Sequence, residues 1–281
     1  MIRLILDDAK PLIELALRED IGKGDITSDS IIPKDKRIEA DVIAKESGIV
    51  CGLDIIRLVY KTIDPNLVFK KKLKDGEKVR IGQKIINIKG NARSILTGER
   101  IVLNFLSALS GTATTTRKYV DKIKKYKTKI LDTRKTIPGF RILQKYAVSI
   151  GGAVNHRMGL YDMVLIKDNH IETNGGIKSA VESVKKKISK NIKIEVETET
   201  LKQVEEALES GADWIMLDNM SVENMKKAVE MIKGKAKIEA SGGITLDNLE
   251  DVAKVGVDYI SIGALTHSFD KIDFSMVVKN D

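Results

Sequence analysis

The sequence predicts an α/β protein whose larger part is a parallel (β/α) barrel, preceded by a region of different construction. Three observations carry this. From residue 129 onward six short β-rich runs alternate with amphipathic helical stretches, at spacings of roughly 20–30 residues, the rhythm of βαβ units. Every one of those runs ends at a polar or glycine residue on the same side, and in a barrel the C-terminal strand ends converge on one mouth. The first hundred or so residues instead mix paired-strand patterns with isolated helices.

Taken in order, "PLIELALRED" (11–20) has the spacing of a short amphipathic helix, and "GKGDITSDS" (22–30) reads as a loop. "RIEADVIAKESGIVCG" (37–52) alternates as paired strands, and "LDIIRLVYKTI" (53–63) returns to helical spacing. Glycine-punctuated "KKLKDGEKVRIGQKIINIKG" (71–90) predicts a small antiparallel unit. A long helical stretch covers 92–125, and its Ser110-Gly111 step predicts two consecutive helices. The barrel strands are expected at 129–133, 162–167, 192–197, 213–218, 236–241 and 258–263. Helices are expected at 201–211, 221–234 and 246–256, several closed by a C-terminal glycine.

Composition narrows the function. The net charge of +8 resides largely in the lysine runs 122–129 and 184–193, which read as solvated surface. With aromatics at 4% and Tyr126 the one aromatic within these basic runs, a stacking platform for nucleic acid is not expected. No apolar run approaches the ~18 residues a membrane span requires. The N-terminus lacks the uninterrupted apolar region of a signal peptide, and the single cysteine, Cys51, excludes an internal disulfide. A cytoplasmic protein is expected.

The strand ends hold the chemistry. In "ILDTRKT" (130–136) Thr133, Arg134 and Lys135 crowd one strand end, and "GGAVNHRMGLYDMVLIKDNH" (151–170) adds His156, Arg157 and Lys167. A guanidinium grips a carboxylate or phosphate through two hydrogen bonds, whereas a lysine adds a point charge, so this set suits a ligand with several negative charges. Glu197 and Asp218 close adjacent strands, and fit an acid/base pair, a Mg²⁺ site shared with phosphate oxygens, or countercharges for the cations. No Cys/His cluster suggests zinc. "ASGGIT" (240–245), with Ser241-Gly242-Gly243, and "SIGAL" (261–265), with Gly263-Ala264, offer backbone N–H groups of the kind that hold a phosphate. Neither a P-loop nor a GxGxxG fingerprint is present.

Together "REDIGKGDITS", "ERIVLNFLSALSGTAT", "LDTRKTIPGFR", "YAVSIGGAVNHRMGLYDMVLIKDNHI", "EVE", "LDNM" and "SGGI" resemble the quinolinate phosphoribosyltransferases along essentially the whole chain. The resemblance implies an N-terminal α/β open sandwich over 1–112, an incomplete α/β barrel over 113–270, and a segment, 271–281, returning to the first domain. It implies phosphoribosyl transfer to quinolinate with decarboxylation, in NAD biosynthesis. Arg134, His156, Arg157, Lys167 and Lys135 would surround quinolinate's carboxylates, with Thr133 in the same pocket. Glu197 and Asp218 would face the ribose and Mg²⁺ of phosphoribosyl pyrophosphate, directly or through its phosphates. Ser241, Gly242, Gly243, Gly263 and Ala264 would hold the 5-phosphate. Lys135, Lys167, Glu197 and Asp218 are the residues expected to act in catalysis. Arg100 would complete the site of a partner in a homodimer, which in turn could assemble into a hexamer. Three rivals stand beside this reading: a paralogue of the same fold associated with molybdenum transport, a non-catalytic phosphate-ligand barrel, and a basic nucleic-acid-binding protein.

Overall fold

The computed structural model describes residues 6–279. Two compact units share the chain, one comprising 6–117, 136–152 and 265–279, the other 118–135 and 153–264.

The first unit begins with α1 (Leu6–Ile21), which buries Ala9, Ile13 and Leu17 at four-residue spacing along one face. The expected loop after it contains a helix, α2 (Ile26–Ile31). Asp25 makes that helix possible, because its carboxylate accepts the Ser28 N–H at 3.0 Å and the Thr97 hydroxyl at 3.0 Å. Asp25→Ala is expected to cost about 1–2 kcal/mol of stability, read by urea denaturation. Those hydrogen bonds, those with Ser28 first, hold the carboxyl below its ordinary range. Its contribution is therefore full above the ordinary aspartate range and fades as pH falls through it, so the variant and parent converge in acid.

The strands of this unit are β1 (Arg37–Ala44), β2 (Gly48–Ile49), β3 (Val68–Lys71), β4 (Lys78–Val79) and β5 (Lys84–Asn91), with α3 (Leu53–Ile63) after β2. The 37–52 stretch holds two strands, yet they do not pair with each other. β1 lies antiparallel to β5 and to a C-terminal strand, β12 (Phe274–Val278), while β2 pairs with β4. The four-stranded sheet runs β12-β1-β5-β3.

α4 (Ala92–Lys122) is one continuous helix of 31 residues, not two. Its Ser110-Gly111 step is explained by packing. The Ser110 hydroxyl accepts the Cys51 N–H at 3.0 Å, and a Cβ on Gly111 would sit 2.2 Å from the Asp270 carbonyl oxygen. Helix α5 (Arg141–Gly151) joins this unit because Leu143 and Ala147 are buried in its core, as are Ile272 and Phe274 near the C-terminus. These contacts are why the units divide the chain otherwise than at 112/113 and 270/271.

The second unit is a six-stranded parallel sheet made of β6 (Lys129–Leu131), β7 (Val164–Ile166), β8 (Ile194–Thr198), β9 (Trp214–Asp218), β10 (Lys237–Ser241) and β11 (Tyr259–Ser261). Each coincides with an expected strand. Their spatial order, β6-β11-β10-β9-β8-β7, is the chain order closed into a ring that lacks only the β6–β7 pairing. A bridge from Leu131 to Val154 extends the β6 side toward that seam. This is an incomplete α/β barrel. Helices α6 (Asp168–Thr173), α7 (Ile177–Lys185), α8 (Leu201–Glu209), α9 (Val222–Ile232) and α10 (Leu249–Lys254) link the strands, and α11 (Ala264–His267) follows β11. Thr200 and Ser221 cap α8 and α9 by accepting the N–H three residues on. Among the described residues no helix is long and apolar enough to cross a membrane.

Candidate active site

The side chains at the C-terminal strand ends fall into three groups. The first is cationic. Arg134 and Arg157 are both half-buried, and Arg134 Nε is buried without a hydrogen-bond partner. An unpartnered buried donor on a charged group is costly unless something else satisfies it. Arg157 donates from Nη1 to the Met163 carbonyl at 3.1 Å. Burial and then the charge of Arg134 lower its pKa, with Glu195 and Asp162 acting in the opposite sense. The two guanidinium groups thus repel each other, and their joint positive charge suits an anion. The strand end that carries Arg134 is held locally: the Thr133 hydroxyl accepts the Lys135 N–H at 3.0 Å, leaving the Lys135 side chain exposed.

The second group is acidic. Lys167, at the end of β7, donates to Glu197 Oε2 at 2.8 Å, so the cationic and acidic sides meet at this pair. On β9, Asp218 Oδ2 accepts the Asn219 amide at 2.8 Å, and Asp218 stands in register with Ser241 of β10. The carboxylate oxygens of Glu197 and Asp218, both half-buried, are the hard donor type Mg²⁺ prefers.

The third group is the glycine loop after β10. Gly242 has φ +88°, and a Cβ there would lie 2.2 Å from Asn219 Oδ1, so no larger residue fits. Asn219 itself has φ +52° and donates its N–H to the Ser241 carbonyl at 2.9 Å. Gly243, at φ +59°, faces open space. The chain beyond β11 is fixed beside β6 by the Ile262 N–H donating to the Leu131 carbonyl at 3.0 Å, which brings Gly263 and Ala264 to the same end of the sheet.

His156 lies against two buried acids. Its Nε2 lies 3.0 Å from Glu195 Oε2 and 3.2 Å from Glu239 Oε2, and its Nδ1 accepts the Arg157 N–H at 2.7 Å. Burial opposes a charge on the ring, whereas the hydrogen bonds and charges of Glu195 and Glu239 act to raise its pKa by holding a proton on Nε2; the Arg157 N–H donated to Nδ1 opposes a second proton. Burial and the Glu239 charge push Glu195 up to about 7. Glu195 and Glu239 come from β8 and β10, which β9 separates, and they meet one imidazole only because the sheet curls. Glu195 opens the EVE motif without an expected role there, and Glu239 lies in none of the motifs, although each interrupts an otherwise apolar strand, Ile194-Glu195-Val196 and Ile238-Glu239-Ala240. Arg100 lies in the other unit, exposed on α4.

Known families and structures resemble this chain throughout. Residues 25–110 match the N-terminal domain of quinolinate phosphoribosyl transferase, and residues 112–277 match its C-terminal domain. A protein of Bacillus subtilis named probable nicotinate-nucleotide pyrophosphorylase (carboxylating) is 44% identical over 96% of this chain and 93% of its own length. The chloroplastic nicotinate-nucleotide pyrophosphorylase (carboxylating) of Arabidopsis thaliana is 45% identical, covering 98% of this chain and 84% of the relative. The solved nicotinate-nucleotide pyrophosphorylase of Francisella tularensis superposes with a TM-score of 0.94 at 45% identity, over 99% of this chain and 98% of its own. With its fold and both its domains matched, the chain belongs to the quinolinate phosphoribosyltransferase family.

Proposed function

We propose that the protein transfers the phosphoribosyl group of phosphoribosyl pyrophosphate to quinolinate and decarboxylates the product, yielding nicotinate mononucleotide, pyrophosphate and carbon dioxide in the de novo synthesis of NAD. Family membership supports the reaction. The observation that carries the site is the Arg134–Arg157 pair, half-buried and mutually repelling, with a buried donor on Arg134 left over. A dicarboxylate supplies the charges this pair lacks.

Arg134 and Arg157 hold the carboxylates, Lys135 and Lys167 add charge at the rim, and the ring nitrogen is thereby aimed at C1 of the ribose. Orientation of this kind is worth several kcal/mol, about 7–11 in favourable systems. The nitrogen lone pair forms the new bond to C1 while the C1–O bond breaks and its electron pair leaves with pyrophosphate. Positive charge grows on the sugar meanwhile, and Glu197 and Asp218 stabilise it. Glu197 and Asp218, together with the substrate phosphates, would hold Mg²⁺, which would supply countercharge to the pyrophosphate. The carbon–carboxylate bond beside the new pyridinium then breaks, its electron pair remaining on the ring carbon until a proton arrives. Ser241, Gly242, Gly243, Gly263 and Ala264 offer the 5-phosphate its backbone cradle. The protein acts as at least a homodimer, with Arg100 of each copy completing the other's site, and works in the cytoplasm; the exposure of Arg100 and the lone, buried Cys51 support these readings.

Incubating the purified protein with quinolinate, phosphoribosyl pyrophosphate and Mg²⁺ is expected to release carbon dioxide and pyrophosphate in equal amounts. Binding without release of either would leave a phosphate-binding barrel, and the proposal would fall.

A further inference from the structure

Glu195 and Glu239 have no part in the reaction just described, yet both are fully buried inside the barrel unit. Barrel interiors are ordinarily filled by branched apolar side chains, and a buried carboxylate pair is a poor way to fill space. Glu195 Oε1 lacks a hydrogen-bond partner altogether, and Glu239 Oε1 is met by the Ser261 hydroxyl, which donates at 2.5 Å. The other oxygen of each converges on His156 Nε2. On its far side the ring accepts the Arg157 N–H, and the His156 N–H donates to Asp132 Oδ1 at 2.8 Å. Asp132, fully buried at the end of β6, also accepts the Asn155 amide at 2.6 Å. Hydrogen bonds therefore run from Glu195 of β8 through the imidazole to the backbone of Arg157, and Glu239, held by Ser261 of β11, joins them by a 3.2 Å ion-pair contact to Nε2.

We propose that Glu195 and Glu239 are positioning residues for the dicarboxylate: by gripping the His156 ring from inside the barrel they fix the backbone of Arg157 and present its guanidinium opposite Arg134. The inference deepens the proposed function and rests on it. His156 then also acts through the main chain of its neighbour. With Nδ1 accepting from Arg157, Nε2 is the nitrogen that carries hydrogen, which makes the three groups a hydrogen-bonded unit and removes the lone pair a metal ion would need.

The test uses Glu195→Gln and Glu239→Gln in the full-length enzyme. Each is expected to raise KM for quinolinate at least tenfold while KM for phosphoribosyl pyrophosphate stays within twofold and kcat within threefold. Combined with His156→Gln, the Glu239→Gln change is expected to add less than twofold, because both act through one ring. Unaltered quinolinate KM in folded variants, or effects that multiply, would overturn the proposal. If the glutamate variants fail to fold, Ser261→Ala removes only the hydroxyl at Glu239 and is expected to raise quinolinate KM about threefold; no change there overturns it equally. Ring ¹⁵N shifts of His156 give a readout independent of turnover, with the signal assigned by its loss in His156→Gln. The wild type should show hydrogen on Nε2 and an accepting Nδ1, and Glu239→Gln should shift both. Identical ring shifts in wild type and variant would sink the inference, whereas absent turnover with the expected shifts would fault only the proposed function.

Discussion

Replacing Arg134 with alanine is expected to reduce kcat/KM for quinolinate by about 10²–10³-fold and to leave the fold intact. The magnitude follows from two charge-assisted hydrogen bonds to one carboxylate, at about 1.5–3 kcal/mol each, with tenfold in rate for each 1.4 kcal/mol. The stability expectation follows from the geometry. Arg134 Nε is buried and unpartnered, and its charge disfavours that of Arg157, so its removal relieves strain as well as removing a binding group. A melting temperature equal to or slightly above that of the parent should accompany the loss of activity. A variant within threefold of parental kcat/KM would remove Arg134 from the site.

Gly111→Ala is expected to have the largest effect on stability. In an exposed helix this change would add about 1 kcal/mol through helix propensity. Here the added Cβ would lie 2.2 Å from the Asp270 carbonyl oxygen and 2.9 Å from Lys271 Cα, both backbone atoms that cannot rotate away. Overpacking of that severity costs about 3 kcal/mol or more, and so outweighs the propensity gain. For a chain of this size a net loss of about 2–3 kcal/mol corresponds to a fall of roughly 5–10 °C in melting temperature, measurable by circular dichroism. An unchanged or raised melting temperature would refute the close approach of α4 to the 270–271 backbone.

That glycine also shows where sequence reading reaches its limit. The six barrel strands were legible because each is a short apolar run ended by a polar or glycine residue, a pattern set within a few positions. Ser110-Gly111 looked like a helix break by the same local rules, but the reason for both residues lies far along the chain, at Cys51 and Asp270. The strands within 37–52 and 71–90 were visible, whereas the pairing of β1 with β5 and β12 and of β2 with β4 was not, since antiparallel pairing over such separations leaves no local mark. At the site, the charged strand ends stood out as unsuited to packing. Glu195 and Glu239 did not, because a single acid within a strand looks like an ordinary outward position until the curl of the sheet brings both to His156. The exposure of Arg100 agrees with a role toward a second copy, but only resemblance to the family suggested that role.

The pairing of β12 with β1 has a consequence for biogenesis. β1 leaves the ribosome before all the strands of the barrel, yet one of its two neighbours is supplied by residues 274–278, which emerge only after them. Until then one border of β1 offers bare amide and carbonyl groups to any passing extended chain. The six strands from β6 to β11 need nothing beyond residue 261 for their pairing, and so can assemble while the sheet that began first still waits for its last member.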